Sequence, residues 1–405
     1  MIQIIKMAYR DLGRNRRRSF FSALALGLGL ALLLLIAATI QGELRSSMDM
    51  TILLQSGDIQ VRSNTYDPDK SSLAWEDLVQ SPYEVAAKIA SLAPVKVATP
   101  RLFASGIVTV KDETAGVSII GIDPSSEANA PYRDGLTSGE YFTAEDRQGV
   151  LIGQSLASML NIKAGDSISV LVNTSNGDVD EQLFTVRGVF ATGSPFYDKT
   201  TIFMPLTKAQ AITRTENRAS TIFVLLKDRE QALPVSKALQ SEQFEVVTWQ
   251  VMNDMLTQVN DMSSAFMVVI YLIVLGITAT VIVNTLVMAV FERTREIGIL
   301  AAIGMRPNRI MAMFFAESTL LAIGGIAIGL VLGGIMVAYA TYVGFYIGDF
   351  GIEGMLLGDR IYAYLTLTDA VSLVITAFVV SLLAALYPAL LAARMEPVTA
   401  LHSGE

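Results

Sequence analysis

Four stretches of this 405-residue chain run without a single charged side chain, and everything between them is patterned differently. They are Phe20–Ile40, Ser263–Val290, a third from Ser318 to about Tyr346 with a partly apolar lead-in from Ile310, and Ala370–Ala393. An α-helix needs about 20 apolar residues to cross a ~30 Å hydrocarbon layer, and each stretch reaches that length. Four membrane-spanning helices are predicted. The first stretch has a second reading. A basic arm, a leucine-rich run and small residues at Ala37 and Ala38 also suit a cleaved signal peptide, although the run exceeds the usual h-region.

Between the first and second stretches the periodicity changes. Short β-branched runs predict strands at Gly106–Val110, Val117–Ile122, Ser167–Val172, Leu183–Phe190, Thr201–Met204 and Thr221–Leu226. Helical spacing appears at Tyr83–Leu92, Gln154–Leu160, Thr207–Thr213, Glu230–Gln240 and Thr248–Val259. Turn clusters such as Asn173–Asp178 and Asp123-Pro124 separate them, and Ser194-Pro195 reads as another turn start. Gly42–Leu54 and Thr248–Asp261 flank this region with helix-compatible spacing. Each is either a helical extension of its span, forming a stalk, or a flexible linker; the scarcity of Gly and Pro favours the stalk.

Charge orients the spans. Before the first lie Lys6, Arg10, Arg14, Arg16, Arg17 and Arg18 against Asp11. Arg293, Arg295, Arg306 and Arg309 lie between the second and third. Asp349, Glu353, Asp359 and Asp369 against Arg360 lie between the third and fourth. The positive-inside bias puts both termini and the 291–309 segment in the cytoplasm. The predicted fold is a four-helix membrane protein with a large extracytoplasmic mixed α/β domain between spans one and two. Its divisions are an amphipathic N-terminal arm 1–18, span 19–42, the α/β domain with stalk ends 43–262, and span 263–291. A short cytoplasmic helix 292–309, span 310–346, an outer loop 347–369, span 370–393 and a cytoplasmic tail 394–405 complete the chain.

Composition narrows the chemistry. Hydrophobic residues make up 52% and charged residues 17%, below the roughly 25% of soluble chains. There is no cysteine, and the one histidine is His402. A disulfide framework, a Cys/His zinc site and an interior Cys–His or Ser–His–Asp arrangement are excluded. The acidic run Asp178-Val-Asp180-Glu181 reads as a charged turn before a cation site. No Gly-Lys dipeptide occurs, so a Walker A loop cannot be built, and any nucleotide-driven work needs an ATPase on another chain. Ionisable groups are nearly absent from the spans, apart from Glu317 at the start of the third, which argues against an ion-coupled transporter. Ala23, Gly27 and Ala31 in span one, and Gly325, Gly329 and Gly333 in span three, recur at intervals of four and allow close helix contact.

Two cytoplasmic segments remain. The N-terminal arm places Ile2, Ile5, Ala8, Tyr9 and Leu12 at helical spacing beside basic residues. It suits either a helix on the inner leaflet or simple flanking charge. Phe291–Arg309 mixes Glu292, Arg293, Arg295 and Glu296 with Ile297, Ile299, Leu300 and Ile303, with Gly298, Gly304 and Pro307 permitting close approach and turns. It reads as an interfacial helix joining two spans, or as a docking helix whose apolar knob enters a partner's groove.

Four local sequences carry a resemblance. They are Met7-Ala-Tyr-Arg-Asp-Leu-Gly-Arg-Asn-Arg-Arg-Arg18, Val150-Leu-Ile-Gly-Gln-Ser-Leu-Ala157 with Gly165-Asp166, Glu292-Arg-Thr-Arg-Glu-Ile-Gly-Ile-Leu-Ala-Ala-Ile-Gly304, and Pro388-Ala-Leu-Leu-Ala-Ala-Arg-Met-Glu-Pro-Val-Thr-Ala-Leu401. Together they resemble the MacB/FtsX-like, or type VII, ABC transporter permeases, with Asp11 where that family's opening commonly has Asn. Thr99-Pro-Arg101, Gly121-Ile-Asp-Pro124 and Gly188-Val-Phe-Ala-Thr-Gly193 followed by Tyr197-Asp198 resemble the lipoprotein-releasing LolC/LolE branch.

The resemblance implies a non-catalytic permease subunit in the bacterial inner membrane. It would work with two copies of a cytoplasmic ABC ATPase that holds the ATP and Mg, and with a second permease subunit, identical or paralogous. No cofactor or metal is expected on this chain, and no nucleic acid among its partners. The implied ATPase-coupling residues are Glu292, Arg293, Glu296, Ile297, Gly298, Ile299, Leu300 and Gly304. Ser194, Pro195, Phe196, Tyr197 and Asp198 are the candidates for a carrier or partner site. Lipoprotein extraction for a periplasmic carrier is the leading expectation, with membrane lipid around the spans. Its rivals are a mechanotransmission subunit of a MacB-like efflux pump and an FtsX-like regulator of cell-wall hydrolases.

Overall fold

A computed structural model of the full chain describes residues 2–14, 16–70, 72–111, 113–348 and 356–395. The tail from 396, with His402 and the end of the Pro388–Leu401 motif, lies outside the described residues, as do Asp349 and Glu353. Two compact units divide the chain. One comprises Met1–Leu44, Asn260–Phe345 and Ile361–Glu405, the other Arg45–Val259 and Tyr346–Arg360.

In chain order, α1 (Ile2–Arg14) precedes α2 (Arg16–Thr51), which passes into a π-helical turn at Ile52–Ser56. Strands β1 (Ile59–Ser63), β2 (Val79–Gln80), β3 (Val95–Val110), β4 (Glu113–Ile122), β5 (Leu136–Gly139) and β6 (Gly149–Gly153) follow. Then come β7 (Ser167–Asn173), β8 (Val179–Phe190), β9 (Thr201–Pro205), β10 (Arg218–Ala219), β11 (Thr221–Leu226) and β12 (Phe244–Thr248). Interspersed are α3 (Pro82–Ala90), α4 (Ala130–Asp134), α5 (Gln154–Met159), α6 (Pro195–Thr200), α7 (Leu206–Thr213), α8 (Ala232–Leu239) and α9 (Trp249–Met252). The chain continues through α10 (Asp254–Glu292), α11 (Thr294–Ala302), α12 (Pro307–Tyr342) and α13 (Leu367–Ala393).

All six strands expected from β-branched runs are present, most of them longer. The largest extension is β3, which starts at Val95 because Pro100 and Arg101 continue the pairing with β11. Strands β1, β2, β5, β6, β10 and β12 went unforeseen. β6 is buried at every position, so no alternation marks it. The helix expected over Thr248–Val259 is corrected. Thr248 ends β12, α9 is a single turn, and Asn253 leaves the helical region at φ −116° and ψ 47° before α10 begins. The turn expected at Ser194-Pro195 opens α6 instead, because Pro at the first helical position sacrifices no hydrogen bond.

The sheet is mixed. β4 pairs β9 and β6 pairs β8 in parallel, while the other pairings are antiparallel. Six strands close on themselves in the order β3-β4-β9-β6-β8-β7, since β7 bonds both β3 and β8. Closure leaves those strands without a bare edge. The enclosed core includes Leu102, Val108, Ile119, Ile152, Phe184 and Met204, all under 2% exposed. On the open flank, β11, β1 and β12 extend the sheet over a second core built on Ile59, Ile89, Ile222 and Val224. Gly153, in the Val150–Ala157 motif, is obligatory: a Cβ there would lie 2.0 Å from the Asp198 carbonyl oxygen.

Among the described residues, four helices have the length and composition to cross a membrane: Arg16–Ser56, Leu256–Glu292, Pro307–Tyr342 and Leu367–Ala393. The two small-residue stripes meet each other. A Cβ on Gly325 would stand 2.9 Å from the Ala23 carbonyl oxygen, and one on Gly329 would stand 2.9 Å from that of Gly27. Backbones at this distance permit dispersion contacts that a larger side chain would forbid, the main attraction available between apolar helices in lipid. Ser22 and Thr285 hydroxyls, 2.8 Å apart, tie α2 to α10. Gly329→Val is predicted to destabilise the bundle by about 1–3 kcal/mol through overpacking, whereas Gly334→Val, with nothing within 4 Å of its Cβ, changes little. Thermal unfolding of the purified chain in detergent checks the contrast; equal melting temperatures would discard the close-packed seam.

Candidate functional site

The 292–304 segment is built by a break and two turns. α10 ends at Glu292, Arg293 departs from helix at φ −112° and ψ 16°, and α11 begins at Thr294. The Thr294 hydroxyl donates to the Phe291 carbonyl at 2.9 Å, satisfying one carbonyl released by the break. Gly304, at φ +91°, reverses the chain, a conformation glycine adopts without steric cost, and Pro307 starts α12.

The eight residues expected here divide by direction. Glu292, Glu296, Ile299 and Gly304 are exposed and Leu300 is half-buried. Arg293, Ile297 and Gly298 turn inward; Ile297 is 1% exposed, in a cluster with Val290, Ile310 and Phe314. Ile303, at 74%, extends the exposed apolar face.

Arg293 is 2% exposed, and its Nη1 lies 2.9 Å from the Asp11 carboxylate and 3.7 Å from that of Glu317. Its Nη2 donates to the Asp11 backbone carbonyl at 3.3 Å. Two exposed pairs flank it: Arg14 with Glu296 at 2.8 Å and Arg18 with Glu292 at 2.5 Å. Such surface pairs are screened by solvent and contribute little, whereas stripping one partner from a buried pair costs about 3–5 kcal/mol. Asp11, Arg14, Arg18 and Glu317 were not among the expected site residues. The signals for two of them were in the chain: Asp11 is the departure from the family's opening, and Glu317 is the acid at the start of an otherwise uncharged span.

The second candidate site, Ser194–Asp198, is mostly a buried frame. Ser194, Tyr197 and Asp198 are 0%, 2% and 3% exposed, whereas Phe196 reaches 37%. The Asp198 carboxylate accepts from the Thr192 amide at 3.1 Å and the Thr192 hydroxyl at 2.7 Å. No cation pairs with it among the described residues, and burial pushes its pKa up to about 6. Burial also holds the Tyr197 phenol well above its usual range. Beside them opens a cleft of about 780 Å³ whose lining includes Gln154, Met159, Phe196, Lys199, Tyr346 and Asp359. Among the described residues, no three His, Asp or Glu side chains gather as metal ligands would.

A carboxylate whose folded pKa exceeds its unfolded one contributes stability that is complete below the unfolded value and lost as pH climbs through the folded one. For Asp198 that window runs from 3.8 to about 6. Asp198→Asn is therefore predicted to raise stability at pH 7.5 by about 1–3 kcal/mol and to flatten stability across that window. Unfolding of the full chain measured from pH 4 to 8 decides this; a lower stability for the variant at pH 7.5 would mean that the charged form is favoured in place.

Comparison with known proteins matches two segments of the chain. Residues 19–242 match the MacB-like periplasmic core domain, and residues 268–397 match the FtsX-like permease C-terminal domain. The lipoprotein-releasing system transmembrane protein LolC of Xylella fastidiosa (strain 9a5c) is 27% identical over 284 residues, 66% of either chain. The macrolide export ATP-binding/permease protein MacB of Acinetobacter baylyi is 23% identical over 415 residues, 98% of this chain and 59% of that one. The solved periplasmic region of MacB from Actinobacillus actinomycetemcomitans aligns over 51% of this chain and 97% of its own, with 15% identity and a TM-score of 0.36. The match thus covers just under two thirds of the length of the LolC relative. With both domain types matched, one of them over more than half its length, the chain belongs to the MacB/FtsX/LolC family of ABC transporter permeases.

Proposed function

We propose that this chain is the permease subunit of a bacterial inner-membrane transporter driven by a separate ATPase. Both termini and the 292–304 segment face the cytoplasm, and the Arg45–Val259 domain faces the periplasm. Two permease chains assemble with two ATPase copies that hold the ATP and Mg. Closure of the ATPases pushes α11, and the movement passes through the spans to the outer domains.

The observation that carries this reading is the form of α11. It is a nine-residue helix that offers Glu296 and Ile299 to solvent, with exposed Glu292 just before it and Ile303 just after it, while anchoring Ile297 beneath. A short helix with an apolar knob and an acidic rim, pinned between two long apolar helices, is suited to insertion in a groove. The missing Gly-Lys dipeptide supports placing the nucleotide site elsewhere.

For the substrate, the reading is a lipoprotein drawn from the membrane and handed to a periplasmic carrier. It is supported by the likeness to LolC, whose name describes lipoprotein release, and by spans nearly free of charge, which accept acyl chains without stranding a buried ion. The Ser194–Asp198 segment that opens α6, with Phe196 exposed beside its cleft, is the proposed partner contact. A second reading, a mechanotransmission subunit of an efflux pump, is favoured by the likeness to MacB, which spans 98% of this chain. An FtsX-like regulator that moves no substrate is the third.

Glu296→Arg combined with Leu300→Asp is predicted to abolish co-purification of the ATPase. Arg14→Gln, which breaks the ion pair to Glu296 and leaves the docking face intact, is predicted to retain it. Unchanged co-purification in the double variant would refute docking through α11. Vesicles carrying the complex and a fluorescent lipoprotein should release it to a soluble carrier only with ATP. Absence of release, with an adaptor and outer channel among the co-purified proteins, would select the pump.

A further inference from the structure

Arg293 lies in the segment assigned above to ATPase contact, yet at 2% exposure it offers a partner nothing. Its guanidinium is where three elements meet: Asp11 on α1, the break between α10 and α11, and Glu317 on α12. We propose that Arg293 is a positioning residue, a strut that binds α1, α11 and the start of α12 into one moving body, so that a load on α11 is delivered to the N-terminal helix and span three as well as to span two. This inference rests on the coupling role proposed for α11.

Three observations support it. First, the regular helix is interrupted at Arg293, between α10 and α11, so the α-helical ladder alone does not make the two helices one rod. Second, the surface pairs Arg14–Glu296 and Arg18–Glu292 link the region just before and at the start of α2 to the same segment, on either side of the buried contact. Third, an isolated buried charge is expensive, and Asp11 and Glu317 are held beside one guanidinium that makes no hydrogen bond to Glu317 at 3.7 Å. Moving α11 away from α1 or α12 would strand a carboxylate or the guanidinium in a poorly solvated site. The low-energy path is for all three to travel together.

The chain lacks cysteine, so spin labels can be placed without background. Labels on Tyr9→Cys in α1 and Ala302→Cys in α11, both exposed positions, report the separation of the two helices by pulsed electron–electron resonance. The sample is the full permease with its co-purified ATPase, without nucleotide and with ATP and Mg. The expected result is a distance distribution that does not change with nucleotide. In an Arg293→Met/Asp11→Asn/Glu317→Gln variant, where no buried charge is left unpaired, the distribution should change with ATP, and ATP-driven turnover should fall about tenfold while co-purification persists. Arg293→Lys, which keeps the charge but loses the fork, should broaden the ATP-state distribution and covers the case of a misfolded triple variant. A wild-type distance that shifts with ATP overturns the proposal, as does a folded triple variant that behaves like wild type. Failure of the α11 docking reading is separately visible, as loss of the ATPase from the wild-type preparation.

Discussion

A guanidinium removed from water has to be met by oxygens or ring faces, and the α/β domain is organised around one such group. Arg101, on β3, is fully buried, with no carboxylate within ion-pair distance among the described residues. Its Nη1 donates to the Leu54 carbonyl at 2.7 Å, its Nη2 to Asn129 Oδ1 at 3.4 Å, and its plane lies 3.6 Å from the Phe223 ring centroid. The counter-charge comes from the helix. Leu54 lies in the π-helical turn that ends α2, where carbonyls lack intrahelical donors and the macrodipole is negative. The same oxygen accepts Tyr132 OH at 2.7 Å and Tyr197 OH at 3.4 Å. One carbonyl thus binds the helix end, the central strand and the loop that frames the candidate partner site.

That node fixes the end of the π-helical turn against the sheet, and residues near the exit of the domain are bonded to the same region. The Arg229 Nη1 donates to Asp49 at 2.7 Å and its Nε to Asp58 at 3.2 Å, spanning the π-helical turn. Asp58 also accepts the Leu226 amide at 2.8 Å, and its backbone carbonyl accepts the Trp249 amide at 3.1 Å. Asn253, at the break before α10, donates to Ser56 at 3.1 Å. Residues 56–58 and 249–253 are therefore bonded to each other as well as to the sheet.

How much of this was legible in the chain depended on whether a signal was local. The four apolar stretches and the small-residue stripes are local, and they predicted both the spanning helices and the close seam. The β-branched run Val117–Ile122 was equally readable. β6 escaped because its apolar run is only Val150–Ile152, set between Gly149 and Gly153, too short to stand out. α6 escaped because a Ser-Pro step starts a turn and a helix alike. The Arg101 node could not be read at all: it joins residues 54, 101, 132 and 197, whose shared oxygen exists only once the sheet has closed. The motif containing Thr99-Pro-Arg101 pointed at the position without giving its reason.

The coupling segment teaches the complementary lesson. A motif marks positions that matter without saying which way they face, so reading it whole made contacts of Arg293, Ile297 and Gly298. Helical geometry separates them: with 3.6 residues per turn, Ile297 cannot share a face with both Glu296 and Ile299. Ile297 packs under α11, while Glu296 and Ile299 project from it. Gly298 then allows the backbone to lie close, and Arg293 fills the corner that the helix break creates. The inward set makes the outward set stiff. In the docking proposed for α11, a knob on a yielding base would move alone when pressed, whereas one seated on the Arg293 ion cluster would pass its displacement to the helices that hold Asp11 and Glu317.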